Sequence, residues 1–487
     1  MRIVKRVLLI LIVIIGLTLF VLGARWAAQQ IALRPLDGGL AFDAAALPSA
    51  LYDLGGFQVA WDADQGALTI THNAQPERIL WSTRPGRSFA AAAIGQETVT
   101  DSRGHFTIDD RLLTRCADQT IDSMALRQDV QPQLMILGEL ACGNGQTVPY
   151  AMTLARGSQI EEHLDFQLGV ADPAINRAFI TYTAEPDERF FGFGAQFSTF
   201  DLKGRRLPIL VTEQGVGRGL QPLTAGANLT AGAGGAWHTT YAPAPHYISS
   251  RLRSLVLANH EYSIFDMRRP DQVQVQVFAP NVRGSIIYGA SPAELISSYT
   301  GRTGRMRPLP DWMISGAIVG MQGGTDRVRE VWQQMQDFDT PLAGFWLQDW
   351  VGQRTTDFGQ RLWWNWELDQ ERYPGWEQLV ADLNAAGVGV LTYVNPFLVD
   401  VADKPNARRN LFREAAERGY LVKNQAGEPY MLDQGGFEAA LVDLTNREAR
   451  WWLLDVLATE VLGAGAWGWM ADFGEGLPFD AVLSNGE

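Results

Sequence analysis

The sequence predicts a two-part chain, an antiparallel β-sandwich followed by a (β/α)8 barrel of which about the first half is present. Three observations carry this. Residues 41–290 read as many short alternating strands parted by Gly, Asp and Asn. The stiff segment Arg307-Pro-Leu-Pro310 then interrupts the chain. Beyond it, apolar strands alternate with helical periodicity, the pattern of a parallel sheet.

Taken in order, Val7–Ala24 is a run of eighteen uncharged residues behind Arg2, Lys5 and Arg6, long enough to span a hydrocarbon core with the positive charge left inside. Residues 1–25 are therefore expected to be a signal anchor, a transmembrane helix that holds the protein on the extracytoplasmic side of a membrane. A cleaved signal peptide fits less well, because Leu22 stands where a small residue is wanted and Arg25-Trp26 follows. Outside the cytoplasm the two cysteines, Cys116 and Cys142, are either a disulfide or two buried thiols.

In the sandwich region, Phe57–Trp61, Ala67–His72 and Gln159–Gln167 read as strands. Gln272–Phe278 alternates strictly, with valines on one face and glutamines on the other. Arg189–Gly219 is glycine-rich, either a loop reaching toward a site or a set of hairpin turns. Ser291, Pro292 and Glu294 form a capping box that starts a helix. Residues 291–310 are thus a connecting helix and linker.

From residue 311 to 487 the expected strands are Ile314–Met321, Gly344–Leu347, Val388–Val394 and Trp467–Ala471. Helix faces are marked by Val328, Val331, Trp332 and Met335, then Leu379, Val380 and Leu383, then Leu411, Ala415 and Ala416, and last Ala449, Trp452, Leu453 and Val456. Asp472 ends the fourth strand, on the face where parallel barrels place their chemistry. Glu487 follows fifteen residues later, so the chain is expected to be the first half of a closed barrel.

Composition narrows the chemistry. A net charge of -14 excludes nucleic acid as a partner. All six histidines precede the barrel segment, which removes a His-based triad or His-rich metal site from its loops. No phosphate-binding or dinucleotide-binding glycine motif is present. No metal or organic cofactor is implied. Gln348–Trp376 instead supplies Trp350, Trp363, Trp364, Trp366, Tyr373 and Trp376 among amides and carboxylates, a mixture suited to sugar rings or to a packed lid.

The motifs FWLQDW from Phe345, RYPGW ending at Trp376, YVNPFL from Tyr393, VDLTN from Val442 and WMADFGE from Trp469 resemble glycoside hydrolase family 31, and within it the sulfoquinovosidase branch. The sandwich segments GFGAQF and LKGRRLPILVTEQGVGRG share the likeness. The resemblance implies a retaining α-glycoside hydrolase with Asp472 as nucleophile. It also implies a sulfonate pocket that includes Gln322, Gln348, Arg361 and Trp364, with Asp349 holding sugar hydroxyls. The chemistry is consistent with that pocket, since Arg, Trp and Gln are donors and a sulfonate offers three acceptor oxygens. The expected substrate is a small α-sulfoquinovoside. The family's acid/base aspartate falls beyond residue 487, so the chain by itself is expected to be inactive. A family 31 α-glucosidase or xylosidase acting on a neutral sugar, and a non-catalytic sugar-binding remnant of a broken gene, are the rival readings.

Overall fold

The computed structural model describes residues 34–486 apart from 103, 129, 130, 220 and 358. The expected membrane segment over residues 1–25 lies outside the described residues. Among those described, no helix is long and apolar enough to cross a membrane. The chain divides into two compact units with the main break between Arg305 and Met306, and Asp101–His105 grouped with the second.

In the first unit a 15-stranded, largely antiparallel sheet and a four-stranded antiparallel sheet share one hydrophobic core. Alternation explains how. Phe57, Val59 and Trp61 point inward from one strand of the smaller sheet, while Leu164, Phe166 and Leu168 do so from the larger. Cys116 and Cys142 stand opposite each other on paired strands and are joined as a disulfide.

One strand reading is corrected by packing and another is extended. The strand expected over Gln159–Gln167 runs over His163–Val170, because the chain first turns, with His163 N–H donating to Ile160 O. Gln272–Val277, paired on both edges, is buried on both faces. Its glutamines are 1, 4 and 8% exposed. Gln274 Nε2 donates to Leu36 O at 2.7 Å and to Thr181 Oγ1 at 2.8 Å, and Gln276 Nε2 donates to Asp110 Oδ2 at 2.9 Å. Gln272 Oε1 accepts from Arg84 Nη1 at 2.5 Å, while its Nε2 is buried without a hydrogen-bond partner among the described residues. Within Arg189–Gly219, Phe190–Gly194 and Arg206–Ile209 are strands of the large sheet, and a helix over Pro222–Ala231 follows. The Ser291 cap is as expected at Glu294 N–H, 3.2 Å, but the Glu294 carboxylate accepts from Ala290 N–H.

His246 gives this unit a dependence on pH. It is buried, its ring stacks on Tyr299 at 3.9 Å between centroids, and it shares a 2.9 Å hydrogen bond with Ser254 Oγ. Burial, with the like charge of His163 adding, lowers its pKa from 6.5 to about 4. A folded-state pKa below the unfolded one means stability is full above about pH 6.5 and lost as pH falls toward 4, by roughly 3 kcal/mol for this group. Urea titrations at pH 7 and pH 4.5 should show that loss, and His246→Gln should flatten it. An unchanged pH slope in the variant would refute this assignment.

The second unit repeats strand and helix: β1 (Ala317–Met321), α1 (Thr325–Asp337), β2 (Leu342–Leu347), α2 (Trp376–Ala385), β3 (Gly389–Val394), α3 (Leu411–Arg418), α4 (Arg447–Val456) and β4 (Gly468–Ala471). The strands are parallel and stand in chain order, the progression of a barrel sheet. The first strand is shorter than expected, since Asp311–Ile314 forms a helical turn that leaves Ile314 exposed. β2 and β3 are the buried centre, whereas β1 and β4, each paired on one side, leave Ile318 and Met470 exposed. α2 buries Leu379, Val380 and Leu383, and α4 buries Ala449, Trp452, Leu453 and Val456, the faces read from their periodicity.

Candidate active site

Parallel pairing aligns the carboxyl ends of the four strands. Met321 pairs with Leu347, and Val394 with Ala471, so Gln322, Gln348, Asn395 and Asp472 all leave the sheet on one rim. Asp472 N–H donates to Val394 O at 3.0 Å, which fixes its backbone to the strand end. The next residue, Phe473, takes a φ of 52°, a left-handed conformation costly for a bulky side chain. That turn carries the chain sharply off the strand.

The Asp472 side chain is half-buried, and Tyr393 Oη donates to its Oδ2 at 2.7 Å. Burial above all, with the bond to Asp472 adding, pushes the Tyr393 pKa well up, so the phenol keeps its proton and acts as a donor. Asn395 Nδ2 approaches the same phenol oxygen at 3.3 Å. Asp472 is thus oriented by a neutral donor, with no cation needed to hold it. Tyr393 and Asn395 were visible in YVNPFL, but a tyrosine and an asparagine in a strand-end motif carry no sequence mark of which carboxylate they will meet.

The glutamines come together. Gln322 Nε2 donates to Gln348 Oε1 at 2.5 Å, and Gln353 Nε2 donates to Gln322 Oε1 at 2.6 Å. This line of amides leaves Gln348 Nε2 as a donor without a protein partner among the described residues. Asp349 is turned the other way. Its carboxylate is 0% exposed and accepts from Tyr373 Oη at 2.5 Å, Arg372 Nε at 2.7 Å and Gly323 N–H at 3.0 Å. A carboxylate so enclosed anchors the loop that follows β2 to the one that follows β1. In this structure its oxygens face protein donors, where the sequence reading had them facing sugar hydroxyls. Its partners Arg372 and Tyr373 lie in RYPGW, a motif whose roles spacing alone could not assign.

The aromatic-rich loop is chiefly a packed lid. Trp350, Trp363, Trp364, Trp366, Tyr373 and Trp376 are all buried, and the indoles of Trp350, Trp366 and Trp376 donate to the carbonyls of Tyr393, Phe397 and Ala464. Trp364 packs among Phe397, Phe437 and Phe473, with its ring 5.6 Å from that of Phe473 beside Asp472. Arg361 stays exposed on the hairpin of Gln353–Thr356 and Gly359–Leu362, and makes no hydrogen bond to either glutamine. Gly435 supplies space beside it: a side chain there would begin 3.6 Å from Arg361 Nη2. Among the described residues no three His, Cys, Asp or Glu side chains are grouped as metal ligands.

A parallel sheet in barrel order with a carboxylate, amides and an arginine about its carboxyl rim is the arrangement of a glycoside hydrolase barrel. Residues 308–486 match the "Glycosyl hydrolases family 31 TIM-barrel domain". Among its relatives is the "Sulfoquinovosidase" of Agrobacterium fabrum, 34% identical over 84% of this chain and 58% of that protein. The "Sulfoquinovosidase" of Escherichia coli is 36% identical over 64% of this chain and 45% of that protein. Among solved structures, "A GH31 family sulfoquinovosidase from E. rectale in complex with aza-sugar inhibitor IFGSQ" aligns with a TM-score of 0.76 and 30% identity, covering 87% of this chain and 60% of that one. The chain thus spans between 45 and 58% of the length of these two curated relatives.

Proposed function

We propose that the protein carrying this chain is a retaining α-glycoside hydrolase that cleaves α-sulfoquinovosides. The observation that carries this reading is the shared rim of the sheet, where Asp472 is oriented by Tyr393 and the linked amides of Gln322 and Gln348 stand at neighbouring strand ends. In the proposed reaction Asp472 attacks the anomeric carbon to form a glycosyl ester, and the aglycone leaves as an alcohol after protonation. Water then attacks the same carbon and frees the carboxylate. The sulfonate is met by Arg361, by Gln348 Nε2 and by the Trp364 indole edge, while Gln322 and Gln353 hold Gln348 in place. Asp349 positions the two loops on which these donors sit.

A retaining mechanism needs a second carboxylate about 5 Å from the first, to give and take the proton. No residue of this sequence is assigned that role, so the polypeptide of 487 residues alone is proposed to be inactive. The protein is further proposed to be anchored on the extracytoplasmic side of a membrane. The charge-free run Val7–Ala24 supports the anchor, and the Cys116–Cys142 disulfide supports an oxidising compartment.

The test compares 4-nitrophenyl α-sulfoquinovoside with 4-nitrophenyl α-glucoside on the longest polypeptide the gene encodes. The sulfonated glycoside should be favoured in kcat/KM by at least about a hundredfold, the scale of one or two buried charge-assisted contacts. Preference for the glucoside would replace this reading by a neutral α-glucosidase. Turnover by residues 1–487 alone would remove the claim of inactivity.

A further inference from the structure

We propose that Arg354 and Arg361 form a two-cation clamp, so that the anionic group of the ligand is held by two guanidinium groups and not one. The proposal rests on the sulfonated-glycoside reading and adds a residue to it. Its first support is register. Arg354 and Arg361 are directly opposed partners in the antiparallel hairpin, which puts both side chains on one face with Cβ atoms about 5 Å apart. Like charges so placed repel each other, and among the described residues neither side chain has a carboxylate within ion-pair distance. An anion between them turns that repulsion into attraction.

The second support is how Arg354 is held. Its guanidinium carbon lies 4.0 Å from the ring centroid of Phe437 and 4.4 Å from that of Trp363. The two rings fix the guanidinium and strip water from it. Nε and Nη2 are buried without a hydrogen-bond partner, which leaves Nη1 as the nitrogen able to meet a ligand. Burial lowers the pKa of this arginine, with the charge of Asp403 opposing. A desolvated cation of this kind gains more from an incoming anion than one in open water.

The third support is position. Phe437, which covers Arg354, also packs edge-on against Trp364 at 5.1 Å, and Trp364 meets Phe473 beside Asp472. Arg361 Nη2 lies next to Gly435, two residues from Phe437. Gly435 has a φ of 81°, so a side chain is disfavoured there and the space beside the guanidinium stays open. Three sulfonate oxygens can accept from Arg354 Nη1 and from the Arg361 guanidinium at once and carry the charge that offsets both cations, whereas a sugar hydroxyl is neutral.

The experiment measures binding of free sulfoquinovose and of glucose by calorimetry to the longest polypeptide the gene encodes. It compares the parent protein with Arg354→Met, Arg354→Lys and Arg361→Met. Methionine keeps the packing against Trp363 and Phe437 but removes the charge, and lysine restores a charge. Arg354→Met should weaken sulfoquinovose by at least about tenfold and glucose by less than about twofold, with Arg354→Lys recovering most of the loss. Equal weakening of both sugars by Arg354→Met, or failure of lysine to recover any of it, would make Arg354 a packing residue and overturn the clamp. Loss confined to Arg361→Met overturns the clamp and leaves the sulfonate reading standing. A parent protein that binds both sugars equally overturns the sulfonate reading, and the clamp with it.

Discussion

Asp472→Asn is expected to lower kcat by three or more orders of magnitude in the complete enzyme while leaving substrate binding nearly unchanged. The amide is the same size as the carboxylate and can still accept the proton of Tyr393, whose hydroxyl lies 2.7 Å from Oδ2. What it loses is the negative charge and with it most of the nucleophilicity that forms the glycosyl ester, so the loss falls on the chemical step. The measurement is kcat and KM for an aryl α-sulfoquinovoside with parent and variant side by side. A loss of less than about tenfold in kcat/KM, under roughly 1.4 kcal/mol, would remove Asp472 as nucleophile. Added azide or formate offers a sharper check. In Asp472→Gly, which unlike the asparagine variant leaves space, a small anion can take the place of the missing carboxylate, so partial recovery would be specific to a lost nucleophile and would not repair a damaged fold.

The second large effect is expected at Arg361. Removing a cation that faces a buried or partly buried anion typically costs about 2 to 5 kcal/mol. Arg361→Ala should therefore reduce kcat/KM for the sulfonated glycoside roughly 30- to 5000-fold on that range. Because Arg361 is exposed, the lower half of the range is the better expectation: part of the charge is already screened by water. The matching glucoside, with a hydroxyl where the sulfonate would be, should lose little. Equal losses on the two substrates would make Arg361 structural and would take away the main reason for preferring a sulfonated sugar.

The sequence was legible wherever one element's pattern was enough to decide its state. Periodicity located α2 and α4, because the residues of a helix that face a core repeat regardless of what that core is. Strand ends were legible for a similar reason: an apolar run that stops at a carboxylate and glycines marks the carboxyl end of β4 and so Asp472. The strand Gln272–Val277 shows the limit. Its alternation puts valines on one face and glutamines on the other, yet all three glutamines are buried: Gln274 pairs with Leu36 and Thr181, Gln276 with Asp110 and Gln272 with Arg84, all from distant parts of the chain. Trp363 and Trp364 in the loop after β2 read equally well as a sugar platform or a lid, since aromatic composition is the same for both.

Side-chain chemistry and strand order were thus determined by the sequence itself: which groups are acids, amides and cations, and which of them stand at strand ends. Tertiary structure alone decided who meets whom. Tyr393 and Asp472 are 79 positions apart and become hydrogen-bonded because β3 and β4 pair in a register that aligns their ends. Asp349 sits next to Gln348 in the chain, but it is taken up by Arg372 and Tyr373 from a later turn, and this separates an inward anchor from an outward donor. Arg354 gives no signal in the sequence, where it is one arginine among many. Its opposition to Arg361 and its place between Trp363 and Phe437 arise from hairpin register and long-range packing, contacts whose energies depend on distances that a linear pattern does not contain.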